Sequence, residues 1–324
     1  MTANQSSSTL KAHSLPLPQI SVVLSAHNPH RGRLKRTLDA IFSQVLPVDE
    51  WELVVVDNAS APLLDASELG LARHPHARLL REERLGLLFG RLAGVDNSTG
   101  DLILFCDDDN VLAADFLVRA VKIFSTCPRL GNASGKCLPE FEATPPPWTT
   151  EFEGCLALRN FGDERRIGDS WTGSYPDFAF GGGGAVFRRE ALAPFLAAFR
   201  SGADIGIHGR TGKDLASGED NNFILSVVRA GFSVGYFPEL VMTHLIPAQR
   251  LNKNYLGRLN HGIAKSWVQV LALHGICPWK PVDLWTVPLR KSRAYFRYRV
   301  WAGPAEYVRW RGACGHFEGR ALIG

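Results

Sequence analysis

The chain predicts an α/β fold, with a mostly parallel central sheet flanked by helices and a C-terminal helical extension. Three observations carry this expectation. Short buried-strand runs, "ISVVLSAHN", "WELVVVDNAS" and "DLILFCDDDN", are rich in β-branched and apolar residues. Segments with apolar residues at helical spacing stand between them. Beyond about residue 251 the sequence becomes rich in Arg, Trp and Tyr.

The first strand breaks at "HNPHRG", where Pro29 and Gly32 mark a loop. A helix follows, with Leu34, Leu38, Ile41, Phe42 and Val45 on one face. The second strand ends in Asp57. "ARLLREERLGLLFGRLAGVDNSTG" predicts a short strand and a helix from about Leu87. The strand "DLILFCDDDN" comes next, then the helix "AADFLVRAVKIFS", with Asn110 as its cap. In a parallel, helix-covered sheet, ligands sit beyond the carboxyl ends of the strands. Ala26 to Asn28, Asp57 and Asp107 to Asp109 all fall at that edge.

After residue 138 the pattern changes. "PEFEATPPPWTTEFEG" is proline-rich, and "NFGDERRIGDSWTGSYPDFAF" is a long aromatic loop. "GGGGAVFRREAL" predicts a glycine turn, a short strand and a helix. "SGEDNNFILSVVRAG" predicts a loop feeding a helix, with Ser217 as a cap. "FSVGYFPELVMTHLIP" is a strand with an exit loop.

With 324 residues, 45% hydrophobic and 21% charged, the chain suits one large soluble domain or one domain plus an extension. A net charge of +4 is too mild to imply nucleic acid, and none is expected as a partner. Six cysteines without a CxxC pair argue against zinc and redox motifs and point to free thiols in a reducing cytoplasm. Residues 1–18 are polar and lack an apolar core, so they are expected to be a disordered leader rather than a signal peptide. No apolar run reaches transmembrane length.

The three consecutive aspartates, Asp107, Asp108 and Asp109, carry the chemistry. Like charges at a strand end repel and need a purpose. Carboxylates at i and i+2 can approach one hard divalent cation, Mg²⁺ or Mn²⁺, which keeps positions for water and phosphate. The plain alternative is a solvated acidic turn or a helix N-cap. The apolar strand before the run and the helix after it favour the metal. "GGGG", Gly181 to Gly184, lacks the Lys-Ser/Thr of a P-loop.

Taken together in their order and spacing, "VVLSAHN", "ELVVVDNAS", "RLGLLFGRLAGVDNSTGDLILFCDDDN", "GGGGAVFRREAL", "SGEDNNFILSVVRAGF" and "HLIPAQR" resemble the family 2 glycosyltransferases of the GT-A fold, of the bacterial polysaccharide and O-antigen type. The resemblance covers roughly residues 19 to 265. It implies a GT-A domain over 19–250, with a nucleotide-binding half (19–138) and an acceptor-binding half (139–250), and an extension over 251–324. It places Ala26, His27, Asn28, Asp57, Arg91, Asp107 and Asp108 at the donor nucleotide. Asp109 is implied as the direct metal ligand, Asp107 as a ribose or water-mediated partner, and Asp108 as the most expendable of the three. His244 is implied as a third ligand and Arg250 as a phosphate partner. Gly182, Gly183 and Trp171 fall on the sugar and acceptor side. Asp220 in "SGED" is implied as the catalytic base, with Glu219 as runner-up or hydrogen-bonding partner.

The function expected is inverting, metal-dependent transfer of a sugar to a hydroxyl of a glycan or lipid-linked acceptor. The donor is a nucleotide-diphosphate sugar, a UDP-sugar first, with dTDP- and GDP-sugars as alternatives. The rivals are a sugar-nucleotide nucleotidyltransferase and a non-enzymatic RNA-binding protein. The Arg- and Trp-rich tail suits an anionic membrane surface, so the expected location is cytoplasmic, with peripheral contact at the inner face of the plasma membrane. The same mixture can bind RNA by stacking, or pack as a helical hairpin with a solvated basic face.

Overall fold

β1 (Ile20–Ala26) is buried along its whole length. A strand can be so only where both of its faces are covered, as helices cover a parallel sheet, and its unbroken apolar run is the sequence mark of that position. The computed structural model describes residues 18–168, 171–202 and 217–324. The expected leader, save its last residue, lies outside them.

α1 (Arg31–Phe42) follows β1, and β2 (Trp51–Asn58), β3 (Ala77–Glu82), α2 (Leu87–Asp96) and β4 (Leu102–Asp107) complete the first half. These four strands pair in parallel in the order β3-β2-β1-β4. Ala26 stands opposite Asp57, and Ser25 opposite Asp107, so three strand ends are level at one edge. Alternation along β1 divides the core. Val22 and Leu24 join a cluster with Leu34, Leu38 and Phe116, whereas Val23 joins Leu88, Phe105, Phe187 and Phe223 on the other face.

The second half contains β5 (Asn110–Leu112), α3 (Phe116–Thr126), β6 (Leu130–Phe141), β7 (Arg166–Gly168), β8 (Val186–Arg188), α4 (Arg189–Arg200), α5 (Glu219–Arg229) and β9 (Ser233–Ile246). Here the sheet becomes mixed. β8 runs antiparallel between β4 and β6, β6 and β9 are parallel, and β5 and β7 are antiparallel to β9. The chain closes with α6 (Lys253–Leu273), α7 (Val287–Arg297) and α8 (Pro304–Ala321). No helix among the described residues is long and apolar enough to cross a membrane.

Three local expectations need correction. Asn110 does not cap a helix: it opens β5, its side-chain oxygen accepts from the Asp107 N–H, and α3 starts at Phe116 behind Asp115. Val45 lies past the end of α1 and is 63% exposed. The residue at the N-cap of α5 is Gly218, not Ser217.

Candidate active site

The acidic run forms a tight turn between β4 and β5. β4 belongs to the parallel half and β5 pairs with β9, so the turn joins the two strand systems. It projects into a crevice of about 350 Å³, which His27, Asn58, Arg91, Asp220, His244 and Arg250 also line. Burial, with Asp109 and Asp107 adjacent, pushes the Asp108 carboxyl up to about 7. Asp108 lines the crevice together with these neighbours.

The β5–β9 register sets Asn110 opposite His244 and so brings Asp109 beside the imidazole. Asp109 Oδ2 lies 3.4 Å from His244 Nε2 and 3.1 Å from Arg250 Nη2. His244 Nδ1 donates to the Leu156 carbonyl at 3.0 Å. Burial works against charge on this ring, but Asp109 overrides it and holds the pKa at about 9.

Among the described residues, no three carboxylate, thiol or imidazole side chains are gathered closely enough to enclose an ion alone. A divalent cation riding on a diphosphate needs only one or two carboxylates from the protein. Crowded carboxylates in a polar crevice meet that need. A ring whose Nδ1 is fixed on a carbonyl and whose Nε2 faces Asp109, with Arg250 Nη1 at 3.1 Å, has the orientation of a metal-bound histidine. The donor set thus fits Mn²⁺ or Mg²⁺.

Across the crevice stands Arg91, carried by α2 and only 1% exposed. Its Nη1 donates to Asp220 Oδ1, and its Nη2 lies 3.2 Å from Asp107 Oδ1. Glu219 Oε1 is 3.8 Å away. Burial opposes the guanidinium charge, but Asp220, Asp107 and Glu219 hold its pKa above the ordinary value. Burial and the adjacent Asp220 push Glu219 up to about 7, against the pull of Arg91. One buried cation therefore ties the acidic turn of β4 to the first turn of α5.

The glycine turn lies in the seam between these two acidic groups. A Cβ on Gly182 would sit 2.5 Å from Asp220 Oδ2, and one on Gly183 would reach Asn110 Oδ1 and come within 2.7 Å of Asp107 Oδ2. No side chain fits there without moving a carboxylate. Gly183→Ala is expected to cost about 1–3 kcal/mol of stability, the usual range for overpacking. Chemical denaturation would show this as a lower midpoint, and an unchanged midpoint would mean that the seam has slack.

Several expected site residues lie elsewhere. Asp57 spends its carboxylate within the fold: Oδ1 accepts from the Ser60 N–H at 3.0 Å, and Oδ2 from the Leu64 N–H at 3.1 Å and from Arg81 Nη1 at 2.8 Å. Its neighbour Asn58 reaches the crevice wall. Its side chain accepts from the Gly86 N–H at 2.9 Å and donates to the Arg84 carbonyl at 2.7 Å, fixing the entry to α2. His27, by contrast, does line the crevice, its Nδ1 donating to the Asn58 carbonyl at 2.7 Å. Ala26 is the buried end of β1. Asn28, at φ 46°, donates its N–H to Ser60 Oγ, accepts from the Ala61 N–H with its side-chain oxygen, and lines a neighbouring cavity. Trp171 is not brought to the crevice; it lies under the Arg229 guanidinium, at the opposite end of α5 from Asp220. Sequence reasoning also missed Phe180, Tyr255 and Leu259 in the lining. Tyr255 and Leu259 are four apart at the start of α6, a spacing that could have exposed them as one helix face.

The family model described as glycosyl transferase family 2 matches residues 21–195. An N-acetylglucosaminyltransferase of Rhizobium meliloti (strain 1021) is 26% identical over 238 residues, 72% of this chain and 52% of that protein. The chain thus spans about half the length of this relative. The succinoglycan biosynthesis protein ExoM of the same organism is 24% identical over 313 residues, 89% of this chain and 93% of that one. Among solved structures, mannosyltransferase PcManGT from Pyrobaculum calidifontis in complex with GDP-Man and Mn²⁺ is 18% identical. That likeness covers 91% of this chain and 86% of that chain with a TM-score of 0.53. The expected α/β GT-A architecture with C-terminal helices is the one observed.

Proposed function

This chain belongs to glycosyl transferase family 2, and on that footing we propose that it moves a sugar from a nucleotide-diphosphate donor to an acceptor hydroxyl on a growing glycan, inverting the anomeric centre. The observation that carries this reading is the crevice itself. Asp107 to Asp109, His244 and Arg250 line one wall, and Asp220 faces them across Arg91.

Asp109, with Asp107 and His244, would hold Mn²⁺ or Mg²⁺. When bound, the cation neutralises charge on the departing diphosphate. Arg250 adds a guanidinium on the same side for phosphate oxygens. Asp220 serves as base. Arg91 fixes Oδ1, which leaves Oδ2 at Gly182 to take the acceptor proton. A carboxylate held by a guanidinium is a weak base, so the proton moves late, as the oxygen bonds to carbon. Glu219, raised toward neutrality and buried, shapes the field at Asp220 rather than taking the proton. A UDP-sugar remains the first donor to try. The GDP-Man and Mn²⁺ held by the mannosyltransferase support a nucleotide-sugar site with a metal, and keep the guanine donor open.

A thermal-shift panel of UDP-, GDP- and dTDP-sugars, with Mn²⁺ and with EDTA, tests the reading. The correct donor at a hundredfold excess over Kd should raise Tm by about 5 °C, and EDTA should abolish the rise. If no sugar nucleotide shifts the transition under either condition, the proposal fails. Release of pyrophosphate instead of nucleoside diphosphate would favour the nucleotidyltransferase.

A further inference from the structure

α7 has two faces of different character. Val287 and Ala294 are buried, Lys291 Nζ contacts Glu318 Oε1 of α8 at 2.5 Å, and Trp310 Nε1 donates to the Lys291 carbonyl at 3.1 Å. That face packs on α8. On the opposite face Leu289 and Phe296 stand seven residues apart, 71% and 64% exposed, and Trp285 precedes Leu289 by four, at 77% exposed. At 3.6 residues per turn Leu289 and Phe296 fall on one outward stripe, and Trp285 stands exposed in the 3₁₀ turn that leads into α7. Trp301, 59% exposed, extends the stripe, its ring 6.1 Å from that of Phe296. Arg290, Arg293 and Arg297 flank it, all exposed. Residues 284–301 hold five cations and no acid.

We infer that this outward face of α7 seats on an anionic lipid bilayer. Large apolar side chains standing free beside guanidinium groups match the chemistry of the headgroup–acyl boundary. A second copy of the same face would oppose arginine to arginine. Single-stranded RNA would stack on the aromatic rings but offer nothing to the aliphatic Leu289. A negatively charged bilayer satisfies both kinds of side chain at once.

The face is joined to the crevice through packed helices. α8 lies on α6, whose Tyr255 and Leu259 line the crevice. Arg309 of α8 donates to Glu151 at 2.7 Å, in the segment that supplies Cys155 and Leu156 to the same crevice. Docking therefore sets the open crevice at a defined height above the lipid surface, which suits an acceptor carried on a lipid.

Co-sedimentation of the full chain with vesicles tests the inference without any sugar donor, so it stands or falls apart from the catalytic reading. Two vesicle types are needed: phosphatidylcholine alone, and equal parts phosphatidylcholine and phosphatidylglycerol. The protein should pellet with the anionic vesicles at low salt and be released at high salt. The triple variants Trp285→Ser/Leu289→Ser/Phe296→Ser and Arg290→Ser/Arg293→Ser/Arg297→Ser should each bind at least about tenfold more weakly. Because all six side chains are exposed, both variants should keep the parent melting temperature. The inference is overturned if the parent stays in the supernatant, if it binds neutral vesicles equally well, or if both variants pellet like the parent. Binding to polyuridylate with none to either vesicle would make the face a nucleic-acid surface instead.

Discussion

Asp220→Asn is expected to lower kcat by about 10²–10⁴-fold, the range for loss of a positioned general base. The amide keeps the size of the carboxylate and can still accept from Arg91, so the fold and the donor site should persist. Sugar-nucleotide binding, read by thermal shift, should then be unchanged while turnover collapses. Glu219→Gln is the matched control. Glu219 is 2% exposed and its Oε2 accepts from the Gly218 N–H at 3.1 Å, so that oxygen is already engaged. Its amide should cost much less turnover. If Glu219→Gln loses more than Asp220→Asn, the two acids have been assigned the wrong way round.

Arg91→Met should produce the largest loss of stability of any single change at the site. The guanidinium is the shared counter-ion of Asp107, Asp220 and Glu219. Methionine fills much of the volume but leaves the carboxylates facing one another, with Glu219 fully enclosed. Removing one partner of a buried ion pair costs about 3–5 kcal/mol. Urea unfolding would measure it. Adding Asp220→Asn to Arg91→Met should return part of the loss, because one of the stranded charges is then gone. A loss no larger than that of a surface pair, about 1 kcal/mol or less, would show that the three acids reach water without Arg91.

What could be foreseen from the residues depended on how local the cause was. β1, β2 and β4 are uniform apolar runs with polar terminators, so their existence and the edge they share were legible. The insertion of β8 between β4 and β6 was not, since strand order depends on pairing between residues far apart in the chain. Asp107 and Asp220 each stood out as acids at element ends. That one buried arginine would grip both could not be foreseen from spacing, because the two acids are separated by more than a hundred residues. Asp57 and Asn58 show a finer limit. Adjacent residues at a strand end point to opposite sides, and nothing in "VVVDNAS" says which of them meets the crevice. Asn110 was misassigned because asparagine suits a helix cap and a tight turn equally well, and the pairing with His244 decided between them. Trp171 stands in a long aromatic loop, where sequence carries little positional information.

The turn that carries Asp107 to Asp109 is clamped at both ends by different parts of one sheet. It cannot splay to separate its charges without breaking strand pairing on one side or the other. The spacing of the three carboxylates is therefore fixed by the sheet and not by their mutual repulsion. Asp107 already has Arg91 as a cationic partner, and Asp109 has His244 and Arg250. Any further positive charge that reaches the turn must share or displace these partners, so the folded chain sets the terms of that exchange in advance.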